Sequence, residues 1–306
     1  MKIGIPRALI HWKYPVFWED FFKNLGVEVL VSPKTNKEIV QIGSRISDPE
    51  TCFSVKVFFG HLLWLEGKVD FIFIPRLKTN KQKFEYCPKL FALPDLANIL
   101  TKTPILTANF DCRREKFEKT LEGLGGKINK SKDEVKEAAR KAFLKEIEYE
   151  AKNQEEFLGK IKSEKKKKII LISHPYNLYD DYVNLKVEDR LKKLGVEPFF
   201  IDRAPSPRRS SAGSGTDDGL PIRDYPDFHW EFGREIMEKT EEVLNYGFSG
   251  AIEISSFQCG CDAVLKEFVE RKIKRKKVPF LYLIIDEQTG EAGFQTRLEA
   301  FVDTLK

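Results

Sequence analysis

Short apolar runs alternate with amphipathic stretches along most of this chain, and the alternation predicts a β-α-β order. Lys2 to Ile5 reads as a strand, Tyr14 to Leu25 as a helix and Val27 to Val31 as a second strand. Cys52 to Glu66 has helical spacing, Phe71 to Ile74 is a β-rich run closed by Pro75, and Ile105 to Thr107 is another short strand. From Arg113 to Glu164 the pattern turns charged and helical, with few turn signals after Gly125-Gly126. A second alternating unit follows: strand at Lys168 to Ser173, helix at Val187 to Leu194, strand at Pro198 to Ile201. It continues with helix at Trp230 to Tyr246, strand at Gly250 to Ile254 and helix at Leu265 to Lys274. Strand at Phe280 to Ile285 and helix at Gln295 to Leu305 close it.

Strands separated by helices call for parallel pairing, with helices on both faces of each sheet. The expected fold is α/β, with two doubly wound domains of the Rossmann or flavodoxin kind. Residues 1–112 form the first, 113–166 a helical connector and 167–306 the second. Residues 204–227 break the rhythm with Ser, Pro, Gly and Arg. Their Ser211-Ala212-Gly213-Ser214-Gly215 lacks the Lys-Ser/Thr ending of a phosphate loop, so a mobile surface loop is expected there. No residue-by-residue repeat relates the two halves.

Composition narrows the class. Of 306 residues, 42% are hydrophobic and 32% charged, which suits a globular chain with ordinary cores. The 52 basic and 47 acidic residues leave only +5, so charge gives no reason to expect a nucleic-acid partner. The Lys165-to-Lys168 run is the only conspicuous basic block and reads as a solvated helix end or linker. No apolar run reaches the roughly 18–20 residues of a membrane helix, and Met1 to Pro6 enters folded-looking sequence at once. A cytoplasmic protein without a membrane partner is the expectation.

Five cysteines then carry the candidate chemistry. In open parallel sheets, ligands gather beyond the carboxyl ends of strands, where loops enter helix N-termini. Cys52 opens a predicted helix, while Cys87 and Cys112 follow strands. Cys259 and Cys261 lie between the Gly250-to-Ile254 strand and the next helix. Helix N-termini favour thiolates, and several soft thiolates with few histidines suit zinc or iron–sulfur rather than magnesium or calcium. The spacing holds no CxxC pair and matches neither a zinc ribbon nor a ferredoxin. Spacing alone leaves open a metal site, buried structural thiols and a redox disulfide.

Several motifs carry a resemblance. Ile5-Pro6-Arg7-Ala8-Leu9, Tyr14-Pro15-Val16-Phe17-Trp18, Leu25-Gly26-Val27-Glu28-Val29 and Ser32-Pro33-Lys34-Thr35-Asn36-Lys37 open it. Glu50-Thr51-Cys52 with Lys56 and Gly60-His61, then Phe73-Ile74-Pro75-Arg76 and Cys87-Pro88-Lys89, continue it. Phe257-Gln258-Cys259-Gly260-Cys261-Asp262 and the closing stretch Asp286 to Gly293, with Thr296 to Phe301, complete it. Together they resemble proteins related to the activators of 2-hydroxyacyl-CoA dehydratases, within the wider superfamily of those dehydratases and double-cubane cluster proteins.

The resemblance implies two α/β domains holding an iron–sulfur cluster in the cleft between them, on Cys52, Cys87 and Cys259. Cys261 stands where the motif has Pro and would add a fourth thiolate, giving a [4Fe-4S] cluster; a larger double-cubane cluster shared between protomers is the other form. The implied role is low-potential electron transfer, as an oxidoreductase component. Its partners would be a separate ATPase activator subunit, since the Asp-x-Gly phosphate motifs are missing, and a redox partner protein. The alternatives are a dehydratase-like subunit binding acyl-CoA at an open iron, and a non-catalytic zinc-binding structural or assembly protein. Gln288 replaces the usual His of the closing signature, and Cys112 falls outside the pattern and is expected to be a buried thiol. His61 is expected on a helix face, satisfied by backbone or orienting a ligand. Lys56 is either a surface lysine or a cation near the cluster. Asp286 is expected to cap a turn and Glu287 to pair with Arg297.

Overall fold

The structure is a computed structural model and describes residues 1–79, 84–162, 167–205 and 229–305. The chain begins with β1 (Lys2–Ile5), a single helical turn α1 (Ile10–Lys13), α2 (Phe17–Asn24) and β2 (Glu28–Val31). Helices α3 (Lys37–Ile46) and α4 (Phe53–Leu65) follow, then β3 (Phe71–Phe73) and β4 (Arg76–Thr79). Next come α5 (Pro88–Leu100), β5 (Ile105–Leu106), β6 (Asn109–Asp111), α6 (Phe117–Gly126) and the long α7 (Lys132–Ile161). The remainder is β7 (Lys168–Ile172), α8 (Pro175–Leu178), α9 (Val187–Lys193), β8 (Glu197–Phe200) and α10 (Glu231–Val243). It ends with β9 (Gly250–Ser256), α11 (Gly260–Arg275), β10 (Phe280–Ile285) and α12 (Glu291–Asp303).

Two four-stranded parallel sheets organise the molecule, in the orders β2-β1-β3-β5 and β10-β9-β7-β8. Counted from the first strand of each half, both read 2-1-3-4, the doubly wound order. The two halves therefore repeat in topology although no sequence repeat announces it. In each, the chain switches direction across the sheet between the first and third strands, and that crevice is where such folds place ligands. A small parallel pair, β4 with β6, lies beside the first sheet and was not expected from the pattern.

The expected Tyr14-to-Leu25 helix is split. Pro15 disfavours helical backbone at Tyr14, so the chain makes one turn before it and restarts at Phe17. From there α2 drives Phe17, Trp18, Phe21 and Phe22 into the core, where Trp18 and Phe22 meet Phe73 of β3 at 4.7 and 4.9 Å. Helix α4 is apolar nearly all round, and it is buried accordingly.

The long α7 starts at a capping box, with Ser131 and Glu134 bonding each other's backbone N–H. Its middle docks on the first half, where Glu146 accepts hydrogen bonds from the Val16 and Phe17 N–H groups at 3.1 and 2.6 Å. Its last turns dock on the second half through Phe157, which packs on Phe199, Tyr246 and Phe248. The connector is thus a strap fixed to both sheets. Residues 206–227 of the expected loop, and Lys165 and Lys166 of the basic run, lie outside the described residues. Among the described residues, no helix is long and apolar enough to cross a membrane.

Candidate metal centre

Three helices begin at cysteines. Cys52 is the N-cap of α4, Cys87 of α5 and Cys259 of α11, and Cys261 lies in the first turn of α11. Each of these helices has at least 13 residues, so three positive helix ends accompany the sulfurs. The loops that bear them are tied together across the two halves. The Phe53 N–H donates to the Phe257 carbonyl at 3.1 Å, joining the Cys52 and Cys259 loops. Ser54 Oγ lies 2.5 Å from Ser256 Oγ, and both hydroxyls donate to Asn177 Oδ1, at 3.1 and 2.9 Å. The Glu85 N–H donates to His229 O and the Glu231 N–H to Glu85 O, which ties the Cys87 loop to α10.

The four thiols are linked pairwise through their charges. Cys52 lies within electrostatic reach of Cys87, Cys259 of Cys52 and Cys261, and Cys261 of Cys87. Cys52 and Cys261 are buried, and Cys87 and Cys259 half-buried. Burial pushes the thiols of Cys52, Cys259 and Cys261 up, because a thiolate loses its hydration there. Asp262 adds to the rise at Cys259 and Cys261, while the Lys89 ammonium and the Val55 N–H oppose it at Cys52. Gln258, just before Cys259, has a left-handed φ of 62°, an uncommon backbone for a non-glycine residue and one that gathers at functional sites.

Cys112, expected to be a buried thiol, is exposed. Its Sγ lies 3.2 Å from Thr79 Oγ1 at the end of the small β4–β6 pair. Two further donors were missed by sequence reasoning. His174 follows β7, and its Nε2 lies 2.7 Å from Asp262 Oδ1 with both side chains almost fully buried. A nitrogen of His174, Cys261 Sγ and a carboxylate oxygen of Asp262 lie within 4.8 Å of one another. Neither ring nitrogen of His174 makes an oriented hydrogen bond among the described residues, nor does Asp262 Oδ2. Buried polar atoms left this way cost about 1–3 kcal/mol each unless an ion or another group satisfies them. Soft sulfurs, an imidazole and orphaned polar atoms together fit a transition metal or an iron–sulfur group.

Phe232 walls this site from a cavity of about 310 Å³ lined also by Trp12, Lys13, Tyr179, Arg203 and Glu235. Its ring meets the His174 ring edge-on, with centroids 5.1 Å apart. Lys56 is buried rather than on the surface, and its Nζ bonds Glu287 at 2.7 Å and the Pro49 carbonyl at 3.2 Å. Glu287 therefore pairs with Lys56, where Arg297 had been expected. Asp286 caps its turn as expected, accepting from the Gln288 N–H and Thr289 Oγ1.

His61 is fully buried and satisfied by hydroxyls rather than backbone. Ser32 Oγ and Thr35 Oγ1 each lie 2.9 Å from a ring nitrogen. The Arg7 N–H donates to Ser32 Oγ, and Thr35 Oγ1 donates to Asp180 of the second half. Burial, with Arg7 and His11 adding, lowers the His61 pKa to about 3. Burial raises Asp180 to about 6 against the pull of Thr35, Val183 and Tyr182 donors.

The two shifts make opposite contributions to stability. Between pH 3 and 6.5 the unfolded chain holds a proton that native His61 refuses, so this contribution is present above pH 6.5 and is lost as pH falls. Between about pH 4 and 6 native Asp180 holds a proton that the unfolded chain has released, so its contribution is lost as pH rises. Relative to wild type, the stability of Asp180→Asn should therefore change by about +1.4 kcal/mol per pH unit as pH rises from 4 to 6. That of His61→Gln should change by about −1.4 kcal/mol per unit over the same range. Urea unfolding at pH 4, 5 and 6 checks this, and parallel curves for all three chains would refute it.

Among curated proteins, none matches this chain. Among solved structures it is similar in outline to a Zn(II)-bound AdcAII variant of Streptococcus pneumoniae. That match has 14% identity, covers 100% of this chain and 98% of that one, and has a TM-score of 0.30. The periplasmic zinc-binding protein TroA from Treponema pallidum is similar at 8% identity, with 98% of each chain covered and a TM-score of 0.30. Superpositions this loose say nothing about what this chain binds. The family-level match is different in kind: a model of the CoA enzyme activase uncharacterised domain matches residues 2–203, which include Cys52, Cys87, the strap helix and His174. The chain belongs to that CoA enzyme activase domain family.

Proposed function

We propose that this chain holds an iron–sulfur cluster on Cys52, Cys87, Cys259 and Cys261 and works as an electron-transfer component at low potential. The observation that carries the reading is that four thiols, at three helix starts from both halves, lie within electrostatic reach of one another in pairs, with the Cys52 and Cys259 loops hydrogen-bonded together. Thiolates are costly there without a compensating cation, because burial raises their pKa values. Iron supplies that charge, and the three helix N-termini favour the anionic thiolate cluster that results. Four thiolates suit a [4Fe-4S] cluster; a larger double-cubane form would need sulfur ligands from a second protomer.

Membership in a CoA enzyme activase family supports a role in activating a CoA-dependent enzyme. ATP hydrolysis would fall to a separate ATPase activator subunit, and the electrons would pass to a redox partner protein. All five cysteines are free, which suits a reducing cytoplasm.

Anaerobic purification followed by iron and sulfide analysis and electron paramagnetic resonance tests the reading. About four irons and four sulfides per chain are expected, with a signal indifferent to added acyl-CoA. A signal that shifts with acyl-CoA would favour the dehydratase-like role. Zinc in place of iron, or a colourless chain after reconstitution, would overturn the cluster altogether.

A further inference from the structure

We propose that His174 is a nitrogen ligand to the group held at the cysteine site, with Asp262 positioning its ring. This rests on the cluster reading above and extends it to a residue outside the cysteine motifs. His174 sits directly after β7, and Cys259 and Cys261 directly after β9; those strands are neighbours at the switch crevice of the second sheet. The fold thus delivers the imidazole and the two thiols to the same edge. A ring nitrogen, Cys261 Sγ and an Asp262 oxygen already stand within 4.8 Å of one another.

The alternative is a structural histidine paired with a carboxylate, and the accounting counts against it. The ring is 1% exposed, and among the described residues the one polar contact of either nitrogen is Nε2 to Asp262 Oδ1 at 2.7 Å. Granting that contact full hydrogen-bond strength still leaves the second nitrogen and Asp262 Oδ2 unsatisfied in the interior. A metal-bound histidine commonly has a carboxylate partner that sets its tautomer and orientation. The ring is also locked in place, stacked on Tyr176 at 5.0 Å and held edge-on by Phe232 at 5.1 Å. Rigid presentation of one donor is what a ligand requires and a solvating histidine does not.

A four-iron cluster takes four protein ligands, so His174 would take the place of Cys261, the thiol beside it; a neutral imidazole there removes one negative charge from the four-thiolate set and raises the reduction potential.

The test uses the full chain grown with ¹⁵N-histidine, reconstituted anaerobically with iron(II) and sulfide and reduced. Electron–nuclear double resonance should show a ligand-sized ¹⁵N coupling. His174→Gln should lose that coupling. His174→Cys, which still offers a ligand, should keep the iron, lose the nitrogen coupling and shift the reduction potential downward. A chain that loads iron and sulfide but shows no ¹⁵N coupling, or keeps it in both variants, overturns His174 as ligand and leaves the cluster standing. A chain that takes up no iron and sulfide overturns the cluster, and this inference with it.

Discussion

Removing the two thiols that either half contributes is expected to abolish iron binding rather than halve it. Cys52→Ala/Cys87→Ala and Cys259→Ala/Cys261→Ala should each retain less than a tenth of the wild-type iron after anaerobic reconstitution. Each pair comes from a different half of the molecule, so each variant leaves the other pair's helix starts intact. Two thiolates, even joined by His174, fall short of the four ligands a [4Fe-4S] cluster takes, and even the outer partners of metal ligands are worth about 10–100-fold in affinity. The substitutions themselves exchange a small buried group for a smaller one, so the metal-free variants should stay within about 1–2 kcal/mol of metal-free wild type. Cys112→Ala serves as the internal control, because its sulfur is exposed and bonds Thr79 rather than another cysteine among the described residues. Iron analysis and the urea midpoint of each chain, loaded and metal-free, decide the matter. A double variant that keeps more than half its iron would show that the cluster, if present, is held elsewhere.

The strands were legible because parallel strands under helices are written as unbroken apolar runs, even at the part-exposed edge strand β10. Phe280 to Ile285 is β10 to the residue, and the Lys168-to-Ser173 run overshoots β7 by one. Helices α3 and α5 were not legible, for reasons the packing explains. Gly43 breaks the α3 pattern with a poor helix former, and Pro88 and Pro94 do the same to α5. The first is there because a neighbouring backbone needs the space, and Pro88 suits a helix start.

Position between strands and helices put all five cysteines on the ligand edge, and only the resemblance of the flanking motifs set Cys52, Cys87, Cys259 and Cys261 apart from Cys112. His174 could not be singled out, because nothing local distinguishes His-Pro after a strand from an ordinary turn. Its meeting with Asp262 depends on β7 lying beside β9, an adjacency created by the 2-1-3-4 strand order. The same holds for Asp180, which reaches His61 only through Thr35 across the two halves. Composition and spacing could name the donors on one element but not the partners that topology brings to them.

Gly43→Ala is expected to destabilise the chain by about 3 kcal/mol or more, the upper range for overpacking a filled interior. Helices α3 and α4 cross with their backbones in contact at this point. A Cβ on Gly43 would stand 1.8 Å from the Lys56 carbonyl oxygen and 2.8 Å from the Gly60 nitrogen. The fit is reciprocal, since a Cβ on Gly60 would stand 2.0 Å from the Ile39 carbonyl oxygen. All of these are backbone atoms, so no rotamer change relieves the clash and the helices must move apart. That motion carries a cost beyond packing, because α4 begins at Cys52 and carries Lys56 and His61. The variant should therefore also lose iron, although it alters no ligand. Gly123→Ala in α6 is the matched comparison: nothing lies within 4 Å of its would-be Cβ, and alanine there should stabilise by about 0.5–1 kcal/mol. Urea midpoints of the three metal-free chains measure both effects. If Gly43→Ala unfolds at the wild-type midpoint, the α3–α4 crossing is looser than this packing requires, and the rigid placement of Cys52 that follows from it fails as well.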